Sequence, residues 1–249
     1  MKSMESYRNF LKAFWWYERD KVETDKLKKI LSPPLQKPYS PDDTLIDLVA
    51  TENLKIKKRT IFEAIKNRQT HRKFTKEFLT VEELSFLLWA TQGVHEIDKL
   101  GRTKRTVPSA GARHPFETYL LINRVYGLNA GIYRYLPLEH KLCLIYTGCI
   151  PKKKITSAFR EQGFIARSAV IFIWTVIPYR SEWQYMMVAP KMIALDAGHL
   201  CQNLYIACEA IGAGTCAVGL YDQEQMDALV NVDGKEEFVI YAAPVGKTK

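Results

Sequence analysis

The chain has 249 residues, of which 47% are hydrophobic and 25% charged, and its formal net charge is +9. This composition is typical of a folded soluble protein with one larger or two smaller domains. Its longest apolar run, AVIFIWTVI at 169–177, is well short of the roughly 18 residues that a membrane-spanning helix needs. The N-terminus has scattered charges and no uninterrupted apolar run of the signal-peptide type, so we expect a cytoplasmic protein without a membrane partner.

The charge is unevenly distributed along the chain. Residues 101–160 hold eleven Lys/Arg against two Asp/Glu, whereas residues 181–249 hold four against nine. A basic middle favours an anionic ligand. Because no single-strand-binding, helix-turn-helix or zinc-finger pattern is present, we predict a phosphate-bearing small molecule and not nucleic acid. A solvated basic face is the alternative explanation.

The cysteines and histidines do not form a metal-binding pattern. The five cysteines include no Cys-x-x-Cys pair, and the five histidines are dispersed. We therefore expect reduced, mostly buried thiols and no metal site.

The first sixty residues predict helical and irregular segments. We expect a helix over about 5–30 that ends before SPPLQKPYSPDD, because the four prolines of this stretch cannot continue it. Apolar residues resume directly afterwards, so the proline-rich stretch is expected to wrap over the protein surface. We take residues 1–59 as an N-terminal helical and irregular extension and residues 60–249 as the main domain.

Two capping boxes open the main domain. Thr60 with Glu63 predicts a short helix IFEAIKN, and Thr80 with Glu83 predicts VEELSFLLWATQ, ending at Gly93. Further along, FETYLLIN predicts a strand, and IYRYLPLEHKLCLIY predicts a hairpin that turns near residues 139–140.

The second half alternates helices and extended segments. We expect a helical stretch around 151–163, the strand AVIFIWTV, and a long helix that begins at Pro190 and ends at Ile211. Two adjacent apolar strips predict that this helix is central and largely buried. CAVGLY as a short extended piece, DQEQMDALV as a helix and FVIYAAPVG as a last strand follow. Helix pairs and hairpins among these elements favour an α+β fold with a mostly antiparallel or mixed sheet flanked by helices.

Three side chains in NRQTHRKF form a candidate anion site. Arg68, Thr70 and Arg72 are alternate residues, so an extended backbone projects two guanidiniums and a hydroxyl to one side. A solvated basic loop is an equal alternative. Lys247, beyond the last strand, is a weaker candidate for the same anion.

A second candidate is the small-residue turn in RTVPSAGARHPFETYLLIN. Its small residues would let backbone amides approach a ligand, and Arg105, Arg113 and His114 would favour an anionic or polar one. The alternatives are a tight loop with a solvated rim or, for Arg113 and His114, a place facing substrate.

Two other motifs carry less weight. GAGTCA, at 212–217, matches a dinucleotide-binding pattern, but a helix enters it and an extended segment leaves it, which is the reverse of what that motif needs. Hydrolytic catalysis lacks support, because Ser109 is not in a G-x-S-x-G elbow. A phosphate site without strong side-chain catalysts is typical of enzymes whose cofactor performs the chemistry.

Taken in order, five segments resemble one protein family. NRQTHRKF resembles the Arg-Arg-Ser-x-Arg-x-Phe signature that opens the nitroreductase family of flavoproteins. The segments RTVPSAGARHPFETYLLI, GIYRYLPLEHKL, DAGHLCQNLYIACEAIGAGTCAVGLYD and FVIYAAPVGK resemble successive blocks of its SagB-like, azoline-dehydrogenase branch. The resemblance covers about residue 60 to the end. It implies a nitroreductase-like α+β fold that forms an intertwined homodimer with FMN at each of two subunit interfaces.

The resemblance also implies a set of FMN-binding residues. One segment would grip the FMN phosphate and ribityl chain, a second would come from the other subunit to lie along the flavin ring, and a third would place amides near its reactive edge. These are, respectively, Arg68, Gln69, Thr70 and Arg72; Pro108, Ser109, Ala110 and Gly111; and Cys216, Ala217, Val218 and Gly219. Gln162 would reach the ribityl chain or ring, and Lys247 would add to the phosphate clamp.

Departures from the family pattern bear on the cofactor and the substrate. Gln69 and Thr70 replace the more usual Arg and Ser, which removes one charge and keeps a hydroxyl. Azoline dehydrogenases of this branch carry a Lys-Tyr pair assigned to proton removal, and the counterpart here is Gln184 with Tyr185. A glutamine cannot act as that base.

We therefore expect an FMN-dependent oxidoreductase that transfers hydride through the flavin N5 in two half-reactions. A reduced nicotinamide, NAD(P)H, or an organic substrate would donate the hydride, and an acceptor such as a nitro compound or a quinone would take the electrons. No individual catalytic side chain is assigned. The alternatives are oxidation of azolines to azoles in modified peptides, a non-catalytic flavin-binding protein, and a basic nucleic-acid-binding module.

Overall fold

The structure is a computed structural model that describes residues 4–56 and 59–249. Its helices are α1 Met4–Asn9, α2 Trp15–Arg19, α3 Ile61–Asn67, α4 Val81–Gln92, α5 Lys152–Ala158, α6 Tyr179–Tyr185, α7 Ala189–Ala210 and α8 Gln223–Val230. Its strands are β1 Leu45–Asp47, β2 Val94–Ile97, β3 Thr103–Arg105, β4 Phe116–Ile122, β5 Gly131–Leu136, β6 Lys141–Thr147, β7 Val170–Val176, β8 Ala213–Thr215 and β9 Phe238–Lys247.

The centre of the fold is one antiparallel sheet. Within the described residues it has seven strands in the order β1-β6-β5-β4-β7-β9-β8, and every neighbouring pair is antiparallel. Strands β4 and β7 lie in the middle and are buried along their whole length. The strands β2 and β3 form a separate hairpin. The predicted α+β fold is confirmed, and the sheet is antiparallel throughout this part of the chain.

Local sequence signals position several elements as predicted. Both capping boxes are present: the hydroxyls of Thr60 and Thr80 each accept from the backbone three residues on, and Glu63 and Glu83 bond back. The hairpin of β5 and β6 turns over residues 137–140. Gly212 follows α7 with φ +67°, a left-handed conformation that favours glycine after a helix.

The expected helix over residues 5–30 is wrong. The chain forms the short α1 and α2 instead, with no buried residue in either. A helix so short gains little from its own hydrogen bonds and needs an apolar face packed on the core. The first residues lack that burial. The extended piece predicted at CAVGLY is not a strand and makes a single bridge, from Val218 to Ala242. The strand β8 lies directly before it.

Helix α7 packs one face on the sheet and leaves another open. The first predicted strip is buried, including Ile193, Leu200 and Leu204. The second strip is only partly buried, as Ile206 shows, and Leu195 is 52% exposed. The prediction of a largely buried helix therefore holds for one face of it within this chain.

Buried charges fasten the proline-rich stretch to the sheet. Arg105 donates to the Leu35 carbonyl at 2.9 Å, and Arg134 donates to the carbonyls of Lys37 and Pro38 at 2.9 and 2.8 Å. Both guanidiniums are buried. Burial lowers the pKa of Arg105 to about 10, which leaves it charged at neutral pH. Residues 32–39 therefore satisfy charges that the folded core would otherwise leave unpaired.

A buried carboxylate completes this attachment. Glu117 accepts from the Lys37 amide at 2.7 Å and from Arg180 at 2.6 Å. The Lys37 ammonium in turn pairs with Glu237 at 2.6 Å. The N-terminal segment thus supplies both a strand, β1, and polar partners to the main sheet.

Candidate functional site

Three residues of NRQTHRKF lie on one side of their segment, as alternation predicts. The Arg68 guanidinium lies 5.4 Å from the centre of the Tyr205 ring, and the Thr70 hydroxyl is 3.2 Å from the Tyr205 hydroxyl. Arg72 lies beside Cys216, where it opposes the rise in the thiol pKa that burial causes. Gln69 is exposed beside them.

His71 fastens the segment to α7 and β8. Its amide donates to the Thr215 carbonyl at 2.9 Å, and its ring is 3.3 Å from the Glu209 carboxylate. Four residues on, Thr75 donates to the Lys247 carbonyl at 2.9 Å. The candidate anion-binding segment therefore runs along the β8 edge of the main sheet.

Two glycines allow this close approach. A Cβ on Gly214 would lie 2.5 Å from the His71 ring, and one on Gly246 would lie 3.1 Å from the Phe74 side chain. These distances leave little or no room for a side chain at either position. The absence of side chains at Gly214 of β8 and Gly246 of β9 thus allows residues 68–75 to contact the sheet.

Neither Arg68 nor Arg72 has a carboxylate partner among the ion pairs of the described residues. Arg68 is half-buried and Arg72 is exposed. Two guanidiniums on one side without counter-ions are suited to an external anion, because a planar guanidinium can donate two hydrogen bonds to it.

Tyr205 joins two of the predicted segments and was missed by the sequence analysis. Its hydroxyl meets Thr70 and also accepts from the Ala217 amide at 2.8 Å. The side chain is buried. The sequence shows a tyrosine beside the apolar strips of the long helix, which could have indicated a buried hydroxyl in need of a partner. It does not show which partners, because Thr70 and Ala217 belong to other segments.

The segment 216–219 lies next to that hydroxyl. The Ala217 amide is held by Tyr205, and the Val218 amide donates to the Ala242 carbonyl at 2.8 Å. Gly219 is exposed, with open space where a Cβ would be. In this conformation a ligand would meet Ala217 and Val218 through atoms other than these two N–H groups.

Two further predicted residues have partners within the chain. The Gln162 carboxamide donates to the carbonyls of Phe159 and Leu220 at 3.0 and 2.7 Å, so it fixes the loop directly after Gly219. The Lys247 ammonium pairs with Glu83 and donates to the Ile211 carbonyl at 3.2 Å. A phosphate contact by Lys247 would compete with Glu83.

The turn PSAGA is attached to α7 at a different position. The Ser109 hydroxyl donates to Asp196 at 2.6 Å, and the Ala110 amide donates to the same carboxylate at 3.1 Å. Burial raises the pKa of Asp196, and these two hydrogen bonds oppose the rise. Pro108 precedes this attachment and is exposed.

Gly111 lies directly under two side chains of α6. Its φ is +59°, and a Cβ there would be 2.6 Å from the Tyr185 hydroxyl oxygen and 2.8 Å from the Gln184 amide nitrogen. Met186, next in the chain, has φ +46° and ψ −122°. Such a backbone conformation is costly for a residue with a side chain and is often found at functional sites. Gln184 and Tyr185 thus cover the turn.

Arg113 and His114 are buried structural residues in this chain. Arg113 donates to the Arg180 carbonyl at 2.7 Å and lies 4.7 Å from the centre of the Trp183 ring. His114 is 4% exposed, and burial lowers its pKa to about 3. The alternatives that they face water or substrate are therefore wrong for this chain.

The structure does not bring the two groups of predicted residues together in one chain. Asp196, which holds PSAGA, and Tyr205, which holds the Arg68–Arg72 segment, are nine residues apart on α7. At 1.5 Å and 100° per residue they are separated by about 13 Å along the axis and lie on opposite sides of the helix. Residues 108–111 and residues 68–72 are therefore parts of separate surfaces.

An apolar groove lies between α3, α4 and α7, with a volume of about 730 Å³. Ile65 of α3, 61% exposed, and Ile206 of α7 line it. Phe86 and Trp89 of α4 line its other side. This is the open face of α7.

Comparison with known proteins assigns the chain to a family. Residues 65–247 match the sequence profile described as "Nitroreductase family". The chain belongs to the nitroreductase family. The predicted family and fold are thereby confirmed.

Two relatives within this family are similar along different lengths of the chain. The nitroreductase-family protein MJ1384 of Methanocaldococcus jannaschii is 27% identical over 202 residues, which are 81% of this chain and 93% of that protein. The trifolitoxin-processing protein TfxB of Rhizobium leguminosarum bv. trifolii is 27% identical over 118 residues, which are 44% of this chain and 30% of that protein.

Several solved structures share the fold of this chain. One from Anabaena variabilis has a TM-score of 0.69 at 24% identity over 84% of this chain, which spans only 42% of that longer chain. The E. coli microcin synthetase McbBCD complex with truncated pro-MccB17 gives 0.60 at 16% identity, covering 92% and 83% of the two chains. A Desulfovibrio desulfuricans nitroreductase in complex with FMN gives 0.53 at 16% identity, covering 76% and 86%.

Among the described residues of this nitroreductase-family chain, no helix combines the length and hydropathy required to cross a bilayer.

Proposed function

We propose that this nitroreductase-family oxidoreductase binds FMN and passes hydride between NAD(P)H and an organic acceptor such as a nitro compound or a quinone. The observation that carries the proposal is the pair of guanidiniums, Arg68 and Arg72, that lie on one side of a segment without carboxylate partners. The FMN bound by the Desulfovibrio desulfuricans relative supports the identity of the ligand.

The residues present fit FMN in charge and in space. Arg68 and Arg72 supply positive charge for the phosphate, and Thr70 supplies a hydroxyl on the same side. Gly219 leaves open space beside the Cys216–Gly219 segment. Bound FMN would supply the hydride acceptor and donor for the two half-reactions.

The chain's own part is to bind, to orient and to exclude water. Tyr205 would keep the phosphate-side segment and the 216–219 segment at a fixed spacing, because its hydroxyl contacts both. Gln162 would hold the loop beyond Gly219 in place. We assign no catalytic side chain, because orientation of the two reactants at a sheltered ring can supply most of the acceleration.

We further propose that two copies of the chain complete each site. Asp196 and Tyr205, which hold residues 108–111 and 68–72, lie about 13 Å apart along α7 and on opposite sides of the helix, so we infer that one chain does not present both segments to one ring. The apolar groove lined by Ile65 and Ile206 offers a face on which a second copy would pack. Pro108, Ser109, Ala110 and Gly111 would then line a ring bound by the partner subunit.

Absorbance of the purified protein tests the cofactor. We expect a yellow protein whose flavin bands disappear in the double variant Arg68→Ala/Arg72→Ala, because the phosphate loses both cations. The double variant Lys73→Ala/Lys76→Ala is the control, since it removes two exposed charges from the same segment. Colourless wild-type protein that does not bind added FMN would refute the proposal.

Steady-state reduction of a nitro compound with NADH or NADPH tests the reaction. We expect ping-pong kinetics, because the two substrates react in turn at one site. Bound flavin that neither nicotinamide bleaches would instead favour a non-catalytic flavin-binding protein.

The subunit arrangement is tested by light scattering after size exclusion. We expect the wild type to be a dimer and Ile65→Glu to be monomeric and to lose FMN, because a charge would be buried in the apolar groove. Lys66→Glu, at an exposed neighbouring position, is the control. A wild-type monomer with full FMN content would contradict the proposal.

A second candidate function is azoline oxidation in modified peptides. Similarity to the trifolitoxin-processing protein and to the microcin synthetase complex favours it, whereas Gln184 in place of a lysine does not. Incubation with a synthetic azoline peptide separates the two: formation of azole, two hydrogens lighter, supports this second function. Unchanged peptide alongside nicotinamide-dependent nitro reduction supports the first.

A further inference from the structure

The N-terminal segment places a lysine beside the side chains that cover the PSAGA turn. The Lys26 ammonium is 3.2 Å from the Gln184 side-chain oxygen. Gln184 and Tyr185 in turn lie directly over Gly111. A residue far from these elements in sequence thus contributes a charge at the same point of the surface.

The position of Lys26 is fixed by several bonds to α6. Its amide donates to the Trp183 carbonyl at 3.0 Å, and the Trp183 indole donates to the Ile30 carbonyl at 3.0 Å. The Tyr179 hydroxyl donates to Asp25 at 2.9 Å. The backbone around Lys26 is therefore held against α6.

The charges around this point leave Lys26 as the available cation. Arg19 donates to the Gln184 carbonyl at 3.3 Å but also pairs with Asp20 at 3.0 Å, while Arg113 is buried. The Asp196 carboxylate is occupied by Ser109 and Ala110. Among the described residues Lys26 has no ion pair, and its side chain donates to the uncharged Gln184.

We propose that Lys26 is a specificity-determining residue that favours acceptors carrying a carboxylate or another anionic group. The inference rests on the proposed function, because it places the acceptor beside Gly111 and Tyr185. A substrate carboxylate would replace the neutral amide oxygen of Gln184 as the partner of the ammonium. Such a charge-assisted hydrogen bond is stronger than the one it replaces.

The test compares 4-nitrobenzoate with its uncharged analogue 4-nitrobenzyl alcohol in the FMN-loaded protein. We expect Lys26→Ala to raise the KM for nitrobenzoate about fivefold, which corresponds to the loss of a partly exposed ion pair. The kcat for nitrobenzoate and both constants for the alcohol should not change. Lys26→Glu should weaken nitrobenzoate further, and Lys26→Arg should restore the wild-type preference. Lys21→Ala, which removes an exposed lysine of the same segment paired with Glu18, should change neither acceptor.

Calorimetric titration of the oxidised protein with 4-nitrobenzoate gives a readout that does not depend on turnover. We expect the Kd to follow the same order: wild type and Lys26→Arg tightest, then Lys26→Ala, then Lys26→Glu. The inference would be overturned if the Kd for 4-nitrobenzoate, and the ratio of its KM to that of 4-nitrobenzyl alcohol, were the same in the wild type and in every Lys26 variant. The proposed function would then remain intact. A wild type that binds FMN but reduces neither acceptor would refute the proposed reaction, and the specificity with it.

Discussion

Helix α7 holds a candidate ligand segment at each of two positions, and it does so with different chemistry. Towards its C-terminal end, the neutral hydroxyl of Tyr205 connects Thr70 and Ala217. Towards its N-terminal end, the buried carboxylate of Asp196 holds Ser109 and Ala110. The neutral hydroxyl of Tyr205 keeps two proposed ligand-binding segments at a fixed spacing, whereas the buried carboxylate of Asp196 fastens a single turn.

This difference predicts that the Asp196 end matters more for stability and the Tyr205 end more for ligand binding. The proposed arrangement explains why. The PSAGA turn would be a rigid surface that contacts the FMN site of the partner subunit, while Tyr205 would position the FMN-binding segments of its own chain. Four experiments distinguish a role in stability from a role in ligand binding at the two ends of α7.

The largest effect is expected for Asp196→Ala. It removes a buried carboxylate that accepts from Ser109 and Ala110, and we expect the free energy of unfolding to fall by about 3 kcal/mol. Denaturant unfolding measures this. Glu224→Ala, on the surface of α8, is the control. A loss below about 1 kcal/mol for Asp196→Ala would show that the turn does not depend on this bond.

The next effect concerns His114, whose amide donates to the Ser109 hydroxyl. Its pKa is about 3 when folded against about 6.5 when unfolded, so below pH 6.5 only the unfolded state gains the proton. Stability should therefore fall by about 1.4 kcal/mol per pH unit between roughly pH 6 and pH 4 from this residue alone.

The variant His114→Asn separates this contribution from that of the acidic residues. Asparagine tolerates the φ of +44° found at His114 but does not titrate in this range. We expect unfolding measured from pH 7 to pH 4 to show a shallower decline in the variant. Parallel curves would mean that His114 is protonated in the folded protein.

Glycine substitutions test crowding at the two ends. Gly111→Ala is expected to cost about 2 kcal/mol, because of its left-handed φ and the contact with Tyr185. Gly214→Ala would displace His71 and should chiefly weaken FMN binding. Gly127→Ala is the control, because Gly127 has a φ of +84° but open space around it, which separates the cost of a left-handed φ from that of a contact. The comparison fails if Gly111→Ala alone weakens FMN binding.

The smallest effect is expected for Tyr205→Phe. Loss of the hydroxyl leaves the Ala217 amide without its partner and should cost about 1 kcal/mol of stability. FMN affinity, measured by fluorescence titration, should fall about fivefold, because the two binding segments lose their common contact. Tyr133→Phe is the matched control, because Tyr133 is a buried tyrosine whose hydroxyl donates to the Asn129 carbonyl, outside the proposed site. An unchanged affinity would leave Tyr205 as a packing residue.

Local chemistry explains which features could be predicted. The capping boxes at Thr60 and Thr80, the hairpin and the strands β4, β7 and β9 follow from residues near one another in the chain, so their patterns can be read directly. The alternation of Arg68, Thr70 and Arg72 also predicted their common side. The prediction of a helix over residues 5–30 was wrong, because helix propensity in this segment is not accompanied by a face that is buried on the core.

The sequence alone predicted most elements of the main domain, an α+β class with a mostly antiparallel or mixed sheet and, through five ordered motifs, the family. Only the tertiary structure revealed that Tyr205 joins Thr70 to Ala217, that Asp196 anchors PSAGA, and that Lys26 lies against Gln184. These contacts join residues from about 12 to about 160 positions apart. Short-range periodicity carries no information about such pairs, because their distance is set by how whole helices and strands pack.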